Sequence, residues 1–226
     1  MNIVVPLAGP DYFQDSVPKG LQKSIDNTPQ LLHTLNSRIW SKKNKIIYNF
    51  ILKDSYESRN FVDQYLRKWF PSSNVIYLSN YTRGAALSSL AGLSMDLLDD
   101  TSPLVFDLAD IYFETDIFPD FHNVFKGCSF LGYSFESKLE RYSYYKLNDG
   151  KITFAVEKKV ISNHASAGVY IYKNSSVFLQ ALSKIMISPK KYLFNNLLYL
   201  CPIVNGVISN GQIAKIIQVK KFFDYK

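Results

Sequence analysis

Cysteine is almost absent from this chain. Only Cys128 and Cys201 occur among 226 residues, far apart in sequence, so there is neither a disulfide framework nor a CxxC metal motif. Both thiols are expected to be buried and to behave as small apolar groups. Long apolar runs are missing as well: nothing approaches the roughly 18 residues that would span a bilayer. No basic region precedes the N-terminal apolar stretch, and Pro6 and Pro10 fall where a signal peptide needs its apolar core. The expectation is a cytoplasmic protein without membrane insertion. There is no GxSxG, so Ser-His-Asp catalysis has no local signature. His33, His122 and His164 lack metal-ligand spacing and read as surface or packing residues. Internal repeats and low-complexity linkers are absent too.

What is present is apolar and aromatic. With 47% hydrophobic residues, 16 Phe and 16 Tyr, the chain cannot belong to the disordered or collagen-like classes. The same aromatics would permit an apolar interface in a homo-oligomer. A net charge of +7 suits a phosphorylated partner. The basic residues are scattered, however, and the short clusters at 42–45 and at Lys220-Lys221 read as solvated surface. Because basic and aromatic residues form no recognisable recognition module, a phosphorylated small molecule is expected rather than a nucleic acid.

Along the chain, Asn2 to Leu7 reads as a buried strand, followed by an aperiodic loop over residues 8–27, of the length that is usually functional or disordered. Thr28-Pro29 is the expected N-cap and first position of a helix carrying Leu31, Leu32 and Leu35. Ile46 to Leu52 is a second strand, and Phe61, Tyr65 and Trp69 mark a helix stopped by Pro71. Asn74 to Leu78 is a third strand, Gly84 to Leu98 a small-residue helix, and Pro103 to Phe106 a fourth strand running into Asp107-Leu-Ala-Asp110. Past residue 125 come strands at Cys128–Phe135, Tyr142–Leu147 and Ile152–Val156, the last two joined by an Asn148-Asp-Gly150 hairpin signal. A strand at Ala167–Tyr172, helices at Ser175–Met186 and Tyr192–Ser209, and a strand at Ile213–Val219 complete the chain. The resulting expectation is one α/β domain over residues 1–226. It would have a mixed, mainly parallel central sheet with helices on both faces and antiparallel strands added by the second half.

In an open α/β sheet, ligands sit beyond the carboxyl ends of the strands, where strand order reverses. That rule selects residues 8–23, 79–84 and 107–110. Asp107 and Asp110 leave a buried strand at this end, where an acidic residue either holds a hard cation bridging substrate phosphates or caps a turn. Lys19 lies in the first loop, as a point charge for phosphate or as a solvated lysine. Glu157-Lys158-Lys159 and the polar run Ser162 to Gly168 either wrap a hydroxylated ligand or form a plain turn.

Taken in order, these segments resemble the sugar-1-phosphate nucleotidylyltransferases, a family of nucleotidyltransferases with a glycosyltransferase-A-like, Rossmann-like fold. Ile3-Val-Val-Pro-Leu-Ala-Gly9, Pro18-Lys-Gly-Leu21 and Asn27-Thr-Pro-Gln-Leu31 are similar to that family's opening. Thr82-Arg-Gly-Ala-Ala86 resembles its base-proximal segment, and Pro103 to Asp110 its strand ending in a metal-binding aspartate. Val156-Glu-Lys158, Ala167-Gly-Val-Tyr170 and Phe222-Phe-Asp224 are similar to its Glu-Lys, Gly-x-Tyr and Trp-x-Asp segments. The likeness runs over nearly the whole chain.

The resemblance implies that a sugar-1-phosphate, or a similar phosphorylated small molecule, attacks the α-phosphorus of a nucleoside triphosphate, giving a nucleotide-activated sugar for surface polysaccharide and pyrophosphate. It implies Mg²⁺ on Asp110, with Asp224 as a second metal ligand, and places Lys19 and Asp110 in the catalytic roles. Leu7, Ala8 and Gly9, with Thr82, Arg83 and Gly84, would bind the nucleotide, and residues 1–125 would be the nucleotide-binding half. Glu157, Lys158, Asn163 and Gly168 would bind the sugar phosphate in the half formed by residues 126–226. One departure stands out: the family's Gly-x-Gly-[Thr/Ser]-Arg loop is replaced by Gly9-Pro-Asp-Tyr-Phe-Gln-Asp15, which lacks the arginine and adds negative charge. That leaves a catalytically weakened nucleotide or sugar-phosphate binding protein as one alternative. A glycosyltransferase with its metal on Asp107 to Asp110 is another.

Overall fold

Runs that are apolar at every position, such as Ile3-Val4-Val5 and Leu104-Val105-Phe106, bury both faces only inside a sheet covered on both sides. The computed structural model, which describes residues 1–41, 46–93, 101–116 and 119–225, places them there. The first half runs β1 (Asn2–Pro6), a small hairpin of β2 (Phe13–Gln14) and β3 (Val17–Pro18), α1 (Gln30–Asn36) and β4 (Ile47–Lys53). A helical stretch follows, made of α2 (Tyr56–Phe61), a π turn (Val62–Leu66) and α3 (Arg67–Trp69). Then come β5 (Asn74–Leu78), α4 (Ala85–Leu93), β6 (Leu104–Asp107), β7 (Ile111–Glu114) and α5 (Phe121–Gly127). The second half contributes β8 (Phe130–Glu136), β9 (Tyr144–Asn148), β10 (Lys151–Val156), β11 (His164–Tyr172), α6 (Ser175–Met186), α7 (Val204–Ser209), β12 (Ala214–Gln218) and β13 (Lys221–Asp224).

β1 lies parallel between β4 and β6, and β5 extends the sheet beyond β4. β11 runs antiparallel beside β6, β8 antiparallel beside β11, and β12 parallel beside β8. The β9–β10 hairpin joins the start of β11. The chain therefore leaves β1 toward β4 and β5, then returns to the other side of β1 as β6. Strand order reverses between β1 and β6, and in open α/β sheets ligands bind beyond the carboxyl ends of the strands at such a point. Alternate residues supply two cores. Ile3, Val5, Phe50, Leu52 and Val105 face α1 and the 56–69 helical stretch, while Val4, Ile51, Leu104 and Phe106 face α4, α6 and α7.

The expected strands are present, and the Asn148–Lys151 turn is a two-residue hairpin with φ of 47° at Asp149 and 70° at Gly150. Other expectations are corrected. Part of the supposed 8–27 loop is ordered as the β2–β3 hairpin and a 3₁₀ turn over Lys19–Leu21. Thr28 does not cap α1: its hydroxyl donates to Asp26, and the helix begins at Gln30. Along the 56–69 stretch Phe61, Tyr65 and Trp69 do contact one another, but the π turn moves the buried positions to Phe61, Val62 and Leu66. The helix from Gly84 is described through Leu93, and its expected remainder, like the 42–45 basic cluster, lies outside the described residues. Tyr192 to Ser209 is not one helix. It is a short hairpin pairing Phe194 with Leu197, a 3₁₀ turn over Cys201–Ile203 and then α7, because Asn195 and Asn196 take φ of 50° and 60° that a right-handed helix excludes. Finally, α5, β7 and β13 were not expected, and the two strands pair antiparallel away from the main sheet.

Candidate active site

The turn leaving β6 is fixed by a buried ion pair. Arg38, just past α1, donates Nε and Nη2 to the two oxygens of Asp107 at 2.7 and 2.9 Å, and Nη2 also to the Ile111 carbonyl at 3.0 Å. Both side chains are fully buried, and the guanidinium lies 4.1 Å over the Phe113 ring. Asp107 Oδ1 also accepts the Ala109 N–H, and Ala109 takes φ of 55°. Asp107 is thus fully engaged in holding the turn, which settles its role against cation binding. Arg38 was missed by sequence reading, where only an arginine flanked by Ile39, Trp40 and a helix end hinted at burial.

Asp110 follows this turn and packs on Gly168. A β-carbon at position 168 would lie 3.0 Å from Asp110 Oδ1, and Gly168 has φ of 75° within an irregular step of β11 between Ser166 and Tyr170. The Leu108 N–H donates to the Gly168 carbonyl at 2.9 Å, locking the two segments together. Glycine is required here by both the backbone conformation and the close approach. Burial, reinforced by the charges of Cys201, Glu157 and Asp110, pushes the Tyr170 phenol far above its ordinary range. Glu157 is itself buried and accepts a hydrogen bond from Ser143.

The β13–β7 pairing sets Asp224 opposite Ile111, and the Tyr225 N–H donates to the Asp110 carbonyl at 3.2 Å, so the two aspartates sit on adjoining backbone. The Asp224 carboxylate, however, has other partners. Its Oδ2 receives Arg141 at 2.7 Å and the Tyr142 hydroxyl, and its side chain is 5% exposed. Burial first, then the Asp224 carboxylate, raises the Tyr142 phenol to about 12. A guanidinium on the same oxygen opposes metal ligation there.

Lys19 opens the 3₁₀ turn after β3, and its backbone N–H donates to the Tyr12 carbonyl, extending the β2–β3 hairpin by one pair. Its ammonium contacts Asp11 Oδ2 at 2.8 Å. Leu7 and Ala8 are buried, the Leu7 N–H bonding to the Ile51 carbonyl, while Gly9 is exposed on the turn after β1.

On the other rim, Thr82 donates to the Gly84 carbonyl at 3.0 Å and Gly84 takes φ of 112° against the Leu198 backbone. The Leu198 N–H donates to the Arg83 carbonyl at 2.8 Å, and the Ala86 N–H to the Leu198 carbonyl at 3.1 Å. The Arg83 side chain is exposed. This clamps the 82–86 segment to the 194–199 hairpin, whose Phe194 and Tyr199 rings lie 5.3 and 5.5 Å from the Lys158 ammonium. Lys158, at φ of 48°, therefore rests on aromatic residues of the same hairpin whose Leu198 backbone holds the 82–86 loop. Asn163 is exposed just before β11, where its carbonyl accepts the Ser137 N–H.

Among the described residues, no group of three or more His, Cys, Asp or Glu forms a preformed metal cage. Mg²⁺ in phosphate-handling sites commonly takes one or two carboxylates and completes its shell with phosphate and water, so a lone carboxylate such as Asp110 suits that mode. Also among the described residues, no helix is long and apolar enough to cross a membrane.

No family model and no curated protein matches the sequence. Solved structures do match. The nucleoside-diphosphate-sugar pyrophosphorylase from Vibrio cholerae RC9 is similar over 99% of this chain and 95% of its own, with a TM-score of 0.81 at 19% identity. A UDP-glucose pyrophosphorylase complexed with UDP-glucose gives a TM-score of 0.67 at 18% identity, covering 99% of this chain and 92% of its own. The inositol-1-phosphate CTP transferase from T. maritima gives 0.64 at 13% identity, over 99% and 88%. At these identities the likeness is one of architecture: the chain has the fold of the sugar-phosphate nucleotidyltransferases.

Proposed function

We propose that this protein is a nucleotidyltransferase that joins a nucleoside triphosphate to a sugar-1-phosphate, or a similar phosphorylated small molecule, with release of pyrophosphate. The observation that carries the reading is Lys19, paired with Asp11 on the turn after β1, where the charge of Lys158 from the second half of the chain is also felt, on a fold shared with pyrophosphorylases. A lysine and a glycine following a central strand, with a second lysine whose charge reaches them, suit a ligand bearing several phosphate charges.

The reaction brings two anions together, so positioning and charge neutralisation carry most of the rate. Lys19 would hold triphosphate oxygens, and the backbone of Leu7 to Gly9, with Thr82, Arg83 and Gly84, would border the base. Lys158 would draw in the sugar phosphate, while Glu157, Asn163 and Gly168 line the sugar side. Asp110 would anchor Mg²⁺, which when bound neutralises phosphate charge. Asp224 would serve Asp110 through the β13–β7 pairing, and could act as a metal ligand only after releasing Arg141. Activated sugars of this kind feed surface polysaccharide assembly from the cytoplasm, which completes the proposed role.

The test is pyrophosphate release from each common nucleoside triphosphate with a panel of sugar-1-phosphates and Mg²⁺. Turnover with one combination, falling on the order of a hundredfold or more in Asp110→Ala and in Lys19→Met, is the expected result. A catalytically silent binding protein is the competing reading, favoured by the carboxylate already on Lys19. Stabilisation by a triphosphate or sugar phosphate without turnover for any combination would establish it.

A further inference from the structure

Asp11 stands on the exposed turn that follows the first strand, and its carboxylate touches both Lys19 and the Gly9 backbone. Oδ2 lies 2.8 Å from Lys19 Nζ. Oδ1 rests against the backbone of Gly9, close enough that a β-carbon there would come within 2.9 Å. Burial works against the charged form of Asp11, but the hydrogen bond and charge of Lys19, with a further pull from Lys158, overcome it and hold the carboxyl below its ordinary range. One anion is therefore placed against a glycine backbone and on Lys19, within reach of the charge of Lys158 from the second half of the chain. Those are the groups that would otherwise meet phosphate oxygens.

We infer that Asp11 is a tethered occupant of the phosphate subsite, a specificity-determining residue that an incoming ligand must displace from Lys19. This deepens the nucleotidyltransferase reading and rests on Lys19 and Lys158 lining its phosphate site. The physical consequence is discrimination by charge. A single carboxylate on an exposed turn competes well with a singly charged anion, because it is already in place, but poorly with a pyrophosphate or triphosphate group that brings several charges to the same lysine. Asp11 also repels any phosphate that enters while it remains there. A protein with an uncharged residue at this position would bind phosphates generally more tightly and would separate polyphosphates from monophosphates less sharply.

The experiment is equilibrium binding of inorganic pyrophosphate, and separately of inorganic phosphate, to the full chain by titration calorimetry without divalent cations. The proteins are wild type, Asp11→Asn, Lys19→Met and the double variant, each checked for an unchanged fold by circular dichroism. Asp11→Asn should tighten pyrophosphate binding by roughly fivefold or more, and phosphate binding by a larger factor. The gain should shrink when Lys19 is Met to the part that comes from removing like-charge repulsion. Equal affinities in wild type and Asp11→Asn, including undetectable binding by both, overturn the inference, as does a gain that is undiminished in the Lys19→Met background. These readouts use no nucleotide and no turnover. Absence of pyrophosphate release in the functional assay would thus sink the transferase reading while leaving the displacement of Asp11 separately decided.

Discussion

Replacing Arg38 with methionine removes the cation from a fully buried ion pair and leaves the Asp107 carboxylate facing an apolar interior. In the native protein Asp107 receives two guanidinium N–H groups and the Ala109 N–H, and Arg38 also satisfies the Ile111 carbonyl. Breaking a buried pair by removing one partner costs about 3–5 kcal/mol, far more than the pair's own net worth, because the surviving charge is uncompensated. For a chain of this length each kcal/mol moves the melting temperature by about 2–4 °C, so Arg38→Met should melt roughly 6–20 °C below wild type. Adding Asp107→Asn removes the stranded charge while keeping an oxygen for the Ala109 N–H. The double variant should therefore recover at least half of the loss. Thermal and urea unfolding followed by circular dichroism read this directly. A single variant within about 1 kcal/mol of wild type would mean the pair behaves as a solvated one. A double variant no more stable than the single would show that Arg38 acts through its packing on Phe113 and not through its charge. Either result refutes the account of how the turn before Asp110 is held.

Gly168→Ala forces a side chain into a left-handed backbone position, which costs about 1–2 kcal/mol, and pushes a methyl group onto Asp110 Oδ1. Metal-dependent activity should fall much further than this modest destabilisation accounts for, and wild-type turnover would show that Asp110 is not seated there. Gly84→Ala meets the Leu198 carbonyl oxygen at 2.3 Å with φ of 112°, so the clamp between the 82–86 loop and the 194–199 hairpin should open. Hydrogen exchange should rise at the amides of Ala86 and Leu198, and unchanged protection would contradict the clamp. Burial pushes up the thiols of Cys201, where the Glu157 charge adds to it, and of Cys128. Both should resist iodoacetamide at pH 8 in the folded protein and react fully in urea, as mass spectrometry would record; rapid labelling of Cys201 in the native state would argue against its burial.

The parts of the fold that could be read from sequence are those with a local cause. β1, β4 and β6 are interior strands, so they carry apolar runs, interrupted in β4 only by the buried Asn49, and the Asn148-Asp-Gly150 turn requires residues that accept positive φ. One topological rule, that ligands gather where strand order reverses, selected residues 8–23, 79–84 and 107–110, and the family resemblance then singled out Lys19 and Asp110. The hairpin at Phe194–Leu197 was misread because the apolar residues around it mimic helical spacing. Its Asn195-Asn196 pair, with Pro202 soon after, was the available signal for a turn. Arg38 on Asp107, Arg141 on Asp224 and Lys158 between Phe194 and Tyr199 had no such signal. Each joins residues far apart in the chain, and their partnership exists only once the sheet has formed.

Phosphorus-31 NMR of the protein with Mg²⁺, each nucleoside triphosphate in turn and a panel of sugar-1-phosphates tests the central claim most directly, since it follows every phosphorus atom without a coupling enzyme. The account predicts that for one combination the triphosphate and sugar phosphate signals decline together while inorganic pyrophosphate and a sugar-linked diphosphate appear in equal amounts, and that Asp110→Ala stops the change. Unaltered spectra for every combination, or conversion that persists in Asp110→Ala, would contradict it.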